Sequence, residues 1–103
     1  MSMRQAKLGL IKGLKMKTVK YIVTGKVQGV WFRASTKQRA DALGVTGSAI
    51  NLPTGQVEVL ATGDNEQHIQ LKIFLDQGPE LAEVDDVQAS IVELKTFEGF
   101  VTG

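Results

Sequence analysis

The spacing of apolar residues divides the chain into strands and helices. Alternation of apolar and polar residues is typical of half-buried strands, and it predicts strands over residues 18–27, 45–51, 56–62 and 84–94. Helical spacing predicts helices over residues 32–43 and 64–76. A short closing strand is predicted near Phe97, Phe100 and Val101.

Each predicted element has one apolar face, and these faces predict the core. The inward residues of the strands are expected to be Val19, Tyr21, Val23 and Val27, then Val57, Val59 and Ala61, then Val87, Ala89 and Ile91. The inward residues of the helices are expected to be Phe32, Thr36, Ala40 and Leu43, then Ile69, Ile73 and either Phe74 or Leu75. Gly44 is expected to end the first helix, and Asp64 to cap the second.

The resulting order, β-α-β-β-α-β, predicts an α+β ferredoxin-like sandwich, with an antiparallel sheet and two helices on one face. We expect one domain over residues 17–103, preceded by a flexible basic extension over residues 1–16. This fold carries many functions, so the fold alone does not name the activity.

The stretch Gly25–Arg33 combines a strand end, a loop with glycines and the start of a helix. Unpaired backbone N–H groups at a helix start attract anions. Arg33 beside them favours an anion site, most simply for phosphate, because the stretch contains no carboxylate. The alternative is a structural loop whose Arg33 pairs with a distant carboxylate.

The charges are divided unevenly along the chain, although the formal net charge is only +1. Residues 1–40 contain cations and no acid, and all 11 acidic residues begin at Asp41. Such a division is compatible with nucleic-acid binding or with steering of a small anion. Without residues 1–15 the domain is net negative, which disfavours general nucleic-acid binding.

Two motifs together resemble those of the acylphosphatase family. Gly25–Arg33 (GKVQGVWFR) is similar to the family signature G-x-V-Q-G-V-x-F-R. Leu43–Gly47 (LGVTG) and Asn51–Val59 (NLPTGQVEV) resemble a second family pattern, in which Thr54 stands where an aspartate is usual. The resemblance covers residues 18–103 and implies the same ferredoxin-like fold.

The resemblance also implies the site residues. Arg33 is expected to bind the phosphoryl oxygens together with backbone N–H groups of Gln28, Gly29, Val30, Trp31, Phe32 and Arg33 itself. Asn51 is expected to orient the attacking water, as amides do in other phosphoryl transfers. From the residues alone, the preferred interpretation of Asn51 before Pro53 is a turn-forming asparagine.

The implied reaction is metal-independent hydrolysis of a small acyl phosphate to a carboxylate and phosphate. An asparagine is not a strong base, but a carboxylate leaving group has a pKa of about 4 and needs no general acid. We expect no cofactor, no metal, and a site that inorganic phosphate or sulfate can occupy. The chain has no cysteine, and His68, its only histidine, is expected at the surface of the second helix. A cytoplasmic monomer without nucleic-acid or membrane partners is expected.

Two alternatives remain open at this point. An RNA-binding module shares the element order, but it needs exposed aromatic residues on its central strands, where this chain offers only Tyr21. A non-catalytic anion-binding domain could keep the same scaffold, although the presence of Arg33 and Asn51 argues against it.

Overall fold

The computed structural model describes residues 15–103, which form a five-stranded sheet and two helices. In chain order the elements are β1 (Lys17–Lys26), α1 (Phe32–Leu43), β2 (Thr46–Asn51), β3 (Val57–Gly63), α2 (Asn65–Gln77), β4 (Glu83–Val92) and β5 (Phe100–Thr102). The order confirms the prediction, including the closing strand. The predicted flexible extension falls largely on residues 1–14, which lie outside the described residues.

The strands lie in the order β4-β1-β3-β2-β5. Neighbouring strands are antiparallel except β2 and β5, which run parallel with Ser48 opposite Val101. The predicted antiparallel sheet is therefore right for the four longer strands, and the closing strand makes the sheet mixed.

The connection from β4 to β5 explains the parallel pair. β4 ends opposite Thr18, at the end of the sheet where β2 begins. The chain then crosses the face without helices, where the Lys95 N–H donates to Thr18 Oγ1 at 2.9 Å and the Lys95 carbonyl accepts from Thr62 Oγ1 at 2.7 Å. The Gly99 carbonyl accepts from the Gly47 N–H at 3.0 Å, so β5 enters beside the start of β2 and runs in the same direction.

The core lies between the sheet and the two helices. It contains the predicted inward residues of β1 and β3, and its main members are Val19, Tyr21, Val23, Val57, Val59, Ala61, Phe32, Ala40, Leu71 and Leu75. Thr36 is also buried, and its hydroxyl donates to the Phe32 carbonyl at 2.8 Å, which satisfies this polar group inside the core. α1 ends at Gly44, whose φ of 80° is in the left-handed region, as predicted.

α2 begins with the predicted Asp64 cap. The Asp64 carboxylate accepts from the Gln67 N–H at 2.8 Å, and the Gln67 side chain accepts from the Asp64 N–H at 2.7 Å. The predicted inward face was wrong in part, because Ile69 and Ile73 are 46% and 56% exposed.

The face of α2 that meets the sheet instead carries His68, Leu71 and Leu75, which recur at helical spacing. The prediction that His68 lies at the surface was also wrong, since it is buried. Two polar partners on the sheet, the Tyr21 hydroxyl and the Lys17 carbonyl, satisfy the ring nitrogens of the buried histidine.

β4 is an edge strand, and its predicted inward residues are mostly exposed. Val87, Ala89 and Ile91 lie opposite Val23, Tyr21 and Val19 of β1, on the same face of the sheet as predicted. Nevertheless Ile91 is 71% exposed, because the two helices cover the middle of the sheet more completely than this edge.

Candidate active site

The loop between β1 and α1 is held by buried side chains and exposes the backbone between them. Val27, Val30 and Phe32 are buried in the core, whereas Gly29 and Trp31 are exposed. Gly29 and Trp31 both have positive φ, at 74° and 67°, which turns successive peptide groups of the loop. Turns of this kind can direct several N–H groups toward one anion.

The N–H groups of this loop are available for a ligand. Within residues 15–103, no backbone N–H of residues 28–34 donates a hydrogen bond to a protein acceptor; the first backbone bond of α1 runs from the Ser35 N–H to the Trp31 carbonyl at 2.9 Å. Because these donors lie at the positive end of α1, they favour an anion.

Arg33 lies in the first turn of α1, at an open cavity of about 300 Å³. The cavity is lined by Val27, Gly29, Trp31, Phe32, Arg33, Ala34 and Thr102. Arg33 Nη1 donates a long hydrogen bond of 3.4 Å to the Gly103 carbonyl. In the part of the chain that the structure describes, the ion pairs are Lys37–Asp41 and Lys72–Asp76, so Arg33 does not pair with a distant carboxylate as the alternative interpretation required.

Asn51 is the last residue of β2 and is exposed. It follows Gly47 and Ala49 at alternate positions, so it lies on the face of the sheet that carries the helices. Asn51 does not line the cavity of Arg33. Two hydrogen bonds nevertheless connect Arg33 with β2, the strand that Asn51 ends. Arg33 contacts Gly103, and the Gly103 N–H donates to the Ala49 carbonyl at 3.1 Å.

The side chain of Gln28 ties the loop to the turn that follows Asn51. Gln28 Nε2 donates to the carbonyls of Leu52 and Gln56, each at 2.9 Å. Both hydrogens of the amide are thereby used. The loop and Asn51 are thus held together by contacts that the sequence motifs alone do not reveal.

Thr54, where the family pattern usually has an aspartate, still stabilises this turn. Its hydroxyl accepts from the Gln56 N–H at 3.3 Å and donates to Gln56 Oε1 at 2.8 Å. Gln56 Nε2 in turn donates to Thr24 Oγ1 at 3.0 Å, at the end of β1. The substitution therefore leaves the turn joined to the strand that leads into the loop.

The predictions from sequence missed Thr102 and Gly103, which reach the site through β5. Thr102 lies opposite Ala49 in the parallel pair and lines the cavity. A contact between residues so distant in sequence has no local signal in either segment, apart from the apolar residues that predicted a closing strand.

His68 lies apart from this loop, on α2, with its ring in the core. His68 Nδ1 lies 2.8 Å from the Tyr21 hydroxyl, and Nε2 lies 2.9 Å from the Lys17 carbonyl. Burial lowers the pKa of His68, with the bond to the Lys17 carbonyl opposing this effect, and burial raises the pKa of Tyr21 to about 12. Since Tyr21 faces the helices and is buried, it cannot stack on a base, and the RNA-binding alternative loses its one aromatic candidate.

Residues 15–103 show no feature typical of a membrane span or of a metal site built from His, Cys, Asp or Glu. Neither helix there is long and apolar enough to cross a membrane. Within the same residues, no three side chains of His, Cys, Asp or Glu are grouped so that they could hold a metal ion.

The chain is similar to known acylphosphatases in both sequence and structure. Residues 19–102 match the model of the family described as Acylphosphatase. The chain is 50% identical over 82 residues to an acylphosphatase of Nitrosococcus oceani, covering 80% of this chain and 92% of that relative. It superposes on the acylphosphatase structure from Coxiella burnetii with a TM-score of 0.82 at 33% identity, covering 85% of this chain and 93% of the other. The structure from Bacillus subtilis gives a TM-score of 0.81 at 27% identity, with coverages of 85% and 98%.

Proposed function

This chain belongs to the acylphosphatase family, hydrolases that act on acyl phosphates, and we propose that the loop after β1, Arg33 and Asn51 carry out this reaction. The phosphoryl group binds to the loop N–H groups of residues 28–33 and to the guanidinium of Arg33. Asn51 orients the water that attacks phosphorus. The observation that supports this most directly is the set of free N–H groups beside an arginine that has no carboxylate partner among residues 15–103.

Arg33 is suited to bind phosphate because its present contact is weak. Its 3.4 Å bond to the Gly103 carbonyl is longer than the 2.7–2.9 Å usual for a guanidinium and an anionic oxygen. A phosphoryl oxygen would therefore compete well with this carbonyl. The guanidinium also stays charged at any physiological pH, so phosphate binding does not depend on its titration.

The proposed reaction needs positioning and charge stabilisation more than acid–base catalysis. The water oxygen forms a bond to phosphorus while the bond from phosphorus to the acyl oxygen breaks, which releases a carboxylate. A carboxylate with a pKa of about 4 leaves without protonation. The Asn51 amide can hold the water in line, and a phosphoryl oxygen accepts the water proton. Stabilisation of the developing charge by Arg33 and the loop donors then lowers the barrier.

The proposal extends to the conditions in which the enzyme works. We propose that the reaction needs no metal or cofactor, because Arg33 and the loop donors supply the positive charge that phosphoryl transfer requires. Inorganic phosphate or sulfate would occupy the same loop. The enzyme is proposed to be a cytoplasmic monomer that acts on small acyl phosphates, with no nucleic-acid or membrane partner.

The test is hydrolysis of benzoyl phosphate and of p-nitrophenyl phosphate in the presence of EDTA. We expect much faster turnover of the acyl phosphate, because p-nitrophenolate is a more basic leaving group than a carboxylate and departs more slowly from a site without a general acid. Loss of benzoyl phosphate turnover in EDTA would overturn metal independence. Binding of inorganic phosphate without any turnover would favour the non-catalytic anion-binding domain.

A further inference from the structure

Trp31 has a conformation that is unusual for a large side chain. Its φ of 67° and ψ of 19° lie in the left-handed region, and it is the only residue other than glycine with positive φ among residues 15–103. Such a conformation is strained for a bulky residue. The side chain is also 74% exposed, so burial of the indole does not offset that strain.

The position of Trp31 relates it directly to the site. Trp31 lines the cavity that also holds Arg33, together with Val27, Phe32 and Ala34, and it borders a neighbouring depression as well. The Trp31 carbonyl is already used, since it accepts from the Ser35 N–H at 2.9 Å. Besides its free N–H, Trp31 therefore brings an exposed aromatic side chain to the cavity, next to Arg33.

We propose that the indole of Trp31 contacts the acyl group of the substrate and gives this enzyme a preference for aryl and other bulky apolar acyl phosphates over acetyl phosphate. The inference rests on the proposed function, in which the phosphoryl end binds to Arg33 and the loop. The acyl group of a substrate held in this way would extend from the loop into the rest of the cavity, which Trp31, itself 74% exposed, helps to line. A benzoyl group can stack on an indole, whereas an acetyl group offers only a methyl.

The kinetic test compares kcat/KM for benzoyl phosphate and acetyl phosphate in the wild type and in Trp31→Ala, Trp31→Gly and Trp31→Phe. We expect the ratio of benzoyl to acetyl kcat/KM to fall about tenfold in the alanine and glycine variants, mainly through KM for benzoyl phosphate, and to be largely retained in the phenylalanine variant. The glycine variant accepts positive φ without strain, so it guards against misfolding of the alanine variant. Ile91→Ala removes a similarly exposed apolar side chain from β4 and should leave the ratio unchanged.

A second readout uses the wild type alone, since Trp31 is the only tryptophan of the chain. Benzoylphosphonate and acetylphosphonate carry a C–P bond that the enzyme cannot hydrolyse by this reaction. We expect benzoylphosphonate to change the tryptophan emission saturably and to bind more tightly than acetylphosphonate. Equal affinities, with a substrate ratio that Trp31→Ala leaves unchanged, would overturn the role of Trp31. Absence of turnover with both acyl phosphates in the wild type would overturn the proposed function itself.

Discussion

The side-chain amide of Gln28 donates a hydrogen bond of 2.9 Å to the carbonyl of Leu52, the residue that follows Asn51. A second bond of 2.9 Å joins the same amide to the Gln56 carbonyl. Gln28 belongs to the phosphate loop, and Leu52 and Gln56 belong to the turn after β2. The amide thus fixes the distance between the loop that is proposed to bind phosphate and the asparagine that is proposed to hold water.

Replacing Gln28 with leucine should therefore affect both stability and activity. Loss of two partly buried hydrogen bonds should lower the free energy of unfolding by about 2 kcal/mol. Because the loop and Asn51 lose their fixed relation, kcat for benzoyl phosphate should fall about tenfold or more. Urea unfolding and steady-state kinetics measure the two effects. Gln70→Ala removes a glutamine whose amide bonds only the exposed Glu66 on α2, and it should change neither quantity.

Arg33→Ala should reduce kcat/KM for benzoyl phosphate by about a hundredfold or more, which is the usual loss when one donor to a developing charge is removed. Inhibition by inorganic phosphate should weaken in parallel. Arg33→Lys keeps the charge without the guanidinium fork and should restore only part of the activity. The control is Arg39→Ala, which removes an arginine from the same helix, 5.2 Å from the ring of Phe74. Equal losses in the two alanine variants would show that helix charge, not Arg33, matters.

Asn51→Ala should separate turnover from binding. The proposed role in orienting water predicts that kcat falls about a hundredfold, while the inhibition constant of inorganic phosphate changes less than about threefold. Asn51 is exposed, so the fold should tolerate the change. Asn65→Ala, at the start of α2, is the control for removal of an exposed asparagine amide. A parallel loss of phosphate binding in Asn51→Ala would contradict the water-orienting role.

His68 should make stability depend on pH. Burial lowers the pKa of His68 below its ordinary value of 6.5, so the unfolded chain binds the proton more tightly than the folded chain does. The stabilisation is fully present above pH 6.5 and is lost as the pH falls through the folded pKa. An NMR titration of this one histidine should give a midpoint below 6.5, and urea unfolding should show lower stability at about pH 5 than at about pH 7.5.

The matched variant for this prediction changes both members of the buried pair. Tyr21→Phe together with His68→Leu leaves neither side chain of the pair without its partner, which is the less costly way to remove their hydrogen bond, and it also removes the bond from His68 Nε2 to the Lys17 carbonyl. Its stability should depend less on pH than that of the wild type. An unchanged pH dependence would assign the effect to other groups.

Predictions from the local sequence were accurate at the helix ends, where a single residue of a preferred type stops or caps the helix. Gly44 ends α1 in the left-handed conformation, and Asp64 caps α2, because each helix end needs such a residue. The inward face of α2 was not predictable in the same way. Ile69 and Ile73 are more apolar than His68, but His68 is the one that is buried, with the Tyr21 hydroxyl and the Lys17 carbonyl as tertiary partners for its ring.

The candidate active site likewise combines features that depend on nearby residues with features that depend on the tertiary structure. The motif Gly25–Arg33 already specified a glycine loop, a helix start and an arginine, since these depend on residues close together in the chain. The parallel course of β5, the arrival of Thr102 and Gly103 beside Arg33, and the bonds from Gln28 to the turn after Asn51 were decided only when the sheet formed. In these contacts the acceptors are backbone carbonyls, which every residue has. No pattern of side chains in the sequence could therefore have shown which carbonyls Gln28 and Arg33 would contact.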